Sequence, residues 1–105
     1  MMEKNSLITR LLTSLRKIKN EYPGVGDCYV FGSILTQSAP HDIDMLLVYN
    51  LDKIDLAGVS VLKTLICQII EGDLDKRVDL CALSKSEVVQ SNFIHEENCQ
   101  FLFSL

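Results

Sequence analysis

Apolar residues recur at two different periods along this chain, and each change of period marks an element. Leu7, Ile8, Leu11, Leu12, Leu15 and Ile18 keep helical spacing, which predicts an amphipathic helix over residues 5–20 with Asn5 or Ser6 as its cap. Tyr22-Pro23-Gly24 and Gly26 end it in a turn. Cys28 to Phe31 reads as a short strand stopped by Gly32, and residues 33–41 as a loop, or one helical turn followed by a loop. Ile43 to Tyr49 is almost continuously apolar, the pattern of a strand covered on both faces. Beyond the polar connection 50–55, Leu56, Val59, Leu62, Leu65, Ile66, Ile69 and Ile70 return to helical spacing, with Gly72 as a C-terminal cap. Residues 77–83 predict a third strand, with Val78, Leu80 and Ala82 on one face and Asp79, Cys81 and Leu83 on the other. Ser84 and Glu87 form a capping box for a helix carrying Val88, Val89 and Phe93, and the tail Phe101-Leu102-Phe103 packs back onto the core. The order α-β-(loop)-β-α-β-α predicts an α/β (α+β) fold, a small mixed β-sheet flanked by helices, and residues 1–105 form one domain.

Composition narrows the class of function. With 48% apolar and 23% charged residues the chain is that of a folded globular protein. No apolar run reaches the ~20 residues of a membrane span, and the N-terminus shows no secretory pattern. Cys28, Cys67, Cys81 and Cys99 are widely spaced, without a CxxC pair. They read as free thiols in a reducing cytoplasm rather than a zinc site. A net charge of -4 argues against direct nucleic-acid binding. Lys4, Arg10, Arg16, Lys17 and Lys19 read as a solvated helix face.

Candidate chemistry lies in FGSILTQSAPHDIDMLLVY, Phe31 to Tyr49. Asp42 and Asp44 are i and i+2 at the mouth of an apolar strand, so they project from one face about 6 to 7 Å apart. Carboxylates that close repel unless a cation lies between them. Mg²⁺ is the natural choice, because it takes hard oxygen ligands and bridges to phosphates. Asp79, inside the next strand, is the candidate third carboxylate. Gly32 allows a phosphate close to the backbone, and the Ser33 hydroxyl can hydrogen-bond a triphosphate. Two ions could clamp the attacking and leaving oxygens of an in-line displacement. His41 could tune the carboxylates or touch a phosphate but reads first as an exposed loop residue, and His95, Glu96 and Glu97 could suggest a metal cluster but read first as a solvated helix end. Tyr22, Tyr29 and Tyr49 are self-modification sites on paper, although Tyr29 and Tyr49 fall in strands and pack.

FGS, a short loop and then DIDMLLV resemble the polymerase-β-like nucleotidyltransferase superfamily. The small size is similar to its minimal members, known as MNT antitoxins of HEPN toxins. The resemblance runs from Asp27 to Leu83 and, more loosely, through FIHEENCQFLF. It implies that Gly32 and Ser33 hold the nucleotide, that Asp42, Asp44 and Asp79 are catalytic metal-binding carboxylates for two Mg²⁺ ions, and that ATP is the substrate. It further implies AMP transfer to a hydroxyl of a partner protein, a HEPN-domain toxin whose tyrosine is adenylylated and whose RNase is silenced. With little room for an acceptor pocket, the acceptor would dock from outside. The loop departs from the family where many relatives carry a further glycine and an arginine, for here the residues after Gly32-Ser33 are ILTQ. The alternative is a catalytically weak or inactive binding module, a scaffold with the same fold. Transfer to a small molecule such as an aminoglycoside is a third possibility, but it usually needs a longer chain. An oligomeric form is left open.

Overall fold

The structure, a computed structural model, describes residues 2–37 and 39–105, with side chains from residue 6 onward. The side chains of Lys4 and Asn5 lie outside the described residues. Helix α1 (Met2–Lys19) starts earlier than the apolar spacing alone predicts, so Asn5 and Ser6 sit inside it rather than capping it. Strand β1 (Gly26–Phe31) leads into a 3₁₀ turn, Gly32–Leu35, followed by strand β2 (Asp42–Tyr49). Helix α2 (Leu56–Leu74), strand β3 (Arg77–Ser84), helices α3 (Lys85–Ser91) and α4 (Phe93–Glu96), and strand β4 (Gln100–Ser104) complete the chain.

The four strands form one mixed sheet in the order β3-β2-β1-β4. β1 runs antiparallel to both β2 and β4, whereas β2 and β3 are parallel and joined by α2. One face of β2 (Ile43, Met45, Leu47 and Tyr49) packs against the apolar stripes of α1 and α2. Leu46 and Val48 pack on the other face with Val88 of α3 and Phe93 and Ile94 of α4. β2 is therefore covered on both faces over most of its length, as its unbroken apolar run predicts.

Helix α2 begins at Asp55, whose carboxylate accepts from the Gly58 N–H at 2.7 Å. It runs past Gly72, the predicted cap, to Leu74 and ends at Asp75 in the left-handed conformation, φ 53°. The stripe Leu62, Ile66, Ile70, Leu74 is buried at every position. One further buried leucine outweighs the ~1 kcal/mol that glycine costs inside a helix. The Ser84–Glu87 capping box forms as predicted, but α3 stops at Asn92, φ 55°, so Phe93 opens a separate short helix. The tail is a strand: Phe103 pairs with Cys28 and Phe101 with Tyr29 across an irregularity in register.

Part of the basic face of α1 is not simply solvated. Lys17 Nζ and Ser14 Oγ donate to the Asp73 carboxylate at 2.8 and 2.6 Å, and Arg10 donates to the Asp73 carbonyl. The hydrogen bonds from Lys17 and Ser14, with the charges of Lys17 and Arg10, hold the Asp73 carboxyl below its ordinary value. They join α1 to the end of α2. All four cysteines are free thiols, and burial pushes the Cys28 thiol up to about 12. Among the described residues no helix is long and apolar enough to cross a membrane.

Leu47 is fully buried between the sheet and the two long helices. Leu47→Ala should cost about 3 kcal/mol of unfolding free energy, measured by urea denaturation. A loss below about 1 kcal/mol would mean that this face of β2 is not the core.

Candidate functional site

Parallel pairing of β2 with β3 sets the register Asp42↔Arg77 and Asp44↔Asp79. In-register neighbours on parallel strands point to the same face, so Asp44 and Asp79 stand side by side. Asp42 and Arg77 stand one pleat further out on that face. It is the face of Leu46 and Val48, opposite the long helices. Asp42 and Asp79 are exposed and Asp44 is half-buried.

The Gly32–Leu35 turn closes the other side of Asp44. Phe31 is the β1 partner of Asp44 in the register, and the chain turns immediately afterwards through Gly32 at φ +75°. A Cβ at Gly32 would collide with Asp44 Oδ2. Glycine suits the left-handed backbone here, and any larger residue would also push the Asp44 carboxylate aside. Ser33 is half-buried. Its carbonyl accepts from the N–H groups of Thr36 and Gln37, while its hydroxyl makes only a long contact, 3.5 Å, to the Asp42 carbonyl. All five sequence-predicted site residues therefore lie at one end of the sheet.

Burial raises the Asp44 carboxyl above its ordinary value, and the negative charges of Asp79, Asp42 and Glu97 raise it further. Glu97 is the residue that sequence reasoning missed. It is exposed at the end of α4, as a solvated helix end should be. Yet the ring of Phe93 stacks edge-on against Phe31 at 5.5 Å and brings that segment to the carboxylates. No local signal carries this, because it depends on a ring contact between residues 62 positions apart (93 minus 31). His41 is exposed.

Among the described residues no three His, Cys, Asp or Glu side chains form a group that could hold a metal ion as they stand. Mg²⁺ seldom sits in an all-protein cage. It is bound by one or two carboxylates and takes its remaining ligands from water and substrate phosphates. A side-by-side acidic pair, oxygen donors only, with one carboxyl raised by its neighbours, fits that cation. Asp44 and Asp79, with Asp42 beside them, are the residues that would hold it.

No protein-family model and no curated protein matches the sequence. Solved structures do match. A candidate nucleotidyltransferase from Sulfolobus solfataricus superposes with a TM-score of 0.64 at 14% identity, over 98% of this chain and 85% of that one. The chain has the nucleotidyltransferase fold. A chain of the complex between tri-AMPylated Shewanella oneidensis HEPN toxin and MNT antitoxin gives 0.59 at 19% identity, over 97% of this chain and 73% of the other. A toxin–antitoxin complex with AMP-PNP gives 0.53 at 22%, over 89% and 73%. This nucleotidyltransferase fold agrees with the resemblance carried by FGS and DIDMLLV, and at these identities the likeness concerns the fold.

A carboxyl raised in the folded state costs stability once it ionises. That cost is absent below the ordinary value of 3.8 and grows as pH rises through the elevated folded value. Asp44→Asn should therefore melt higher than the wild type at pH 7 without divalent cation, and the gap should close below pH 3.8. Melting curves across pH check this, and equal melting temperatures at pH 7 would contradict it. Gly32→Ala should lose more than about 1 kcal/mol in urea denaturation, from strain at positive φ and from contact with Asp44.

Proposed function

We propose that this chain is a metal-dependent nucleotidyltransferase that moves AMP from ATP to a hydroxyl of a partner protein, acting as antitoxin to a HEPN-type RNase toxin. The observation that carries this reading is the in-register pair Asp44–Asp79, with Asp42 on the same face and the Gly32 turn against Asp44. The solved structures of like fold support the choice of nucleotide and partner: one is a complex of tri-AMPylated HEPN toxin with MNT antitoxin, and another a toxin–antitoxin complex with AMP-PNP.

In this reading Gly32 lets the phosphate chain approach the backbone, and the weakly engaged Ser33 hydroxyl donates to a phosphate oxygen. Asp42 and Asp44 of β2, with Asp79 beside Asp44 on β3, are the carboxylates that would hold Mg²⁺. When bound there, Mg²⁺ would supply charge neutralisation at phosphorus and acidity for the acceptor hydroxyl. The acceptor oxygen bonds to the α-phosphorus as the bond to the bridging oxygen breaks. Pyrophosphate leaves, and the hydroxyl proton passes to solvent. The loop after Gly32-Ser33, ILTQ, without the further glycine and arginine that many relatives carry, favours a second reading, a scaffold with this fold that no longer turns over.

The deciding experiment incubates the purified chain with α-labelled ATP, Mg²⁺ and lysate of its host, with Asp44→Asn as control. Label on a protein band with the wild type, and background label with the control, is the expected result. No label above the control with Mg²⁺ or Mn²⁺ and any nucleoside triphosphate would overturn the transferase reading and leave the scaffold.

A further inference from the structure

The site is rich in negative charge, yet it is proposed to take a polyanionic nucleotide. Asp42, Asp44, Asp79 and Glu97 all bear on this end of the sheet. Residues 32–41, the turn and loop against which the phosphates would lie, contain no lysine or arginine. Lys76 is near in sequence, but its ammonium donates to the Pro40 carbonyl at 2.8 Å and anchors the loop before Asp42.

One cation is built into the register itself. Arg77 is the β3 partner of Asp42 and lies two residues before Asp79, so its side chain leaves the sheet on the carboxylate face. The backbones of β2 and β3 are about 4.8 Å apart. Arg77 is exposed, and among the described residues its guanidinium makes no ion pair or hydrogen bond. A structural arginine would normally be paired with a carboxylate so near, and this one is not.

The geometry points to Arg77 as a phosphate-binding residue, supplying from β3 the positive charge that the loop after Gly32-Ser33 lacks. The inference rests on the transferase reading. The guanidinium donates paired N–H groups to phosphate oxygens of a nucleotide whose cation would sit at the carboxylates, a geometry that arginine matches better than lysine. It also offsets the carboxylates when the nucleotide arrives.

Two ligands of opposite charge separate this role from a structural one. Removing a cation beside carboxylates should strengthen binding of a bare metal ion and weaken binding of an anionic nucleotide. Mn²⁺ binding to the whole chain, followed by electron paramagnetic resonance, is measured alone and with a non-hydrolysable ATP analogue. Arg77→Ala should bind Mn²⁺ alone as tightly as the wild type or tighter, and Mn²⁺ with the analogue about tenfold more weakly. Arg77→Lys should recover part of that loss. Equal affinity of Arg77→Ala for the metal–nucleotide would overturn the assignment. So would a parallel loss of both ligands, since Arg77 would then only shape the carboxylates. A wild type that binds Mn²⁺ but gains nothing from the analogue would remove the transferase reading itself, and the assignment with it. Melting temperatures verify folding, and Arg77→Gln replaces the alanine variant if that variant does not fold.

Discussion

Parallel pairing of β2 with β3 is the constraint on which the rest of this molecule depends. It places Asp44 beside Asp79 and Asp42 beside Arg77 in a single register. Because side chains alternate along a strand, a slip of one residue would turn the carboxylates towards the long helices and bring apolar residues out. The slip is opposed by burial. Ile43, Met45 and Leu47 are fully buried on one face of β2, as is Leu46 on the other. The connection by α2 makes the parallel arrangement possible, and its stripe from Leu62 to Leu74 fastens that helix to the sheet. The core and the candidate site are thus two consequences of one alignment.

The same alignment has an electrostatic cost. Asp44 is half-buried, lies against the Gly32 backbone, and feels three other carboxylates. A domain selected only for stability would place an apolar or neutral side chain there. The crowding of Asp44 against the Gly32 backbone and its repulsion from neighbouring carboxylates both fall at one end of the sheet. Concentration of unfavourable terms at one point is the physical signature of a site that expects a ligand, and its charge requires that ligand to bring a cation.

The elements that depend on local pattern were legible in the sequence. The continuous apolar run of β2, the periodic stripe of α2 from Val59 onward (Leu56 is exposed) and the Ser84–Glu87 capping box appear in the structure where the spacing puts them. So does the grouping of Asp42, Asp44 and Asp79 with Gly32-Ser33, since strand alternation needs only the order of residues. What was not legible depends on pairing at a distance. β4 forms because the segment Gln100–Ser104 finds the open edge of β1, and the run Phe101-Leu102-Phe103 does not announce a partner. Asp75 and Asn92 end helices in the left-handed conformation, a role the sequence reading gave to Gly72 in the first case and to no residue in the second. Glu97, on the segment that Phe93 packs against Phe31, adds its charge at Asp44, and Arg77 is set beside Asp42 by strand register. Both are invisible to spacing.

The central claim is that the Asp44–Asp79 pair, with Asp42, is a metal site that opens onto the Gly32–Ser33 turn. Crystals grown with Mn²⁺ and a non-hydrolysable ATP analogue test it most directly, by anomalous diffraction at the manganese edge. The account predicts an anomalous peak in contact with Asp44 and at least one of Asp42 and Asp79, with phosphate density running from the metal towards Gly32 and Ser33. A nucleotide bound elsewhere, or no manganese at these carboxylates in crystals soaked to saturation, would contradict it.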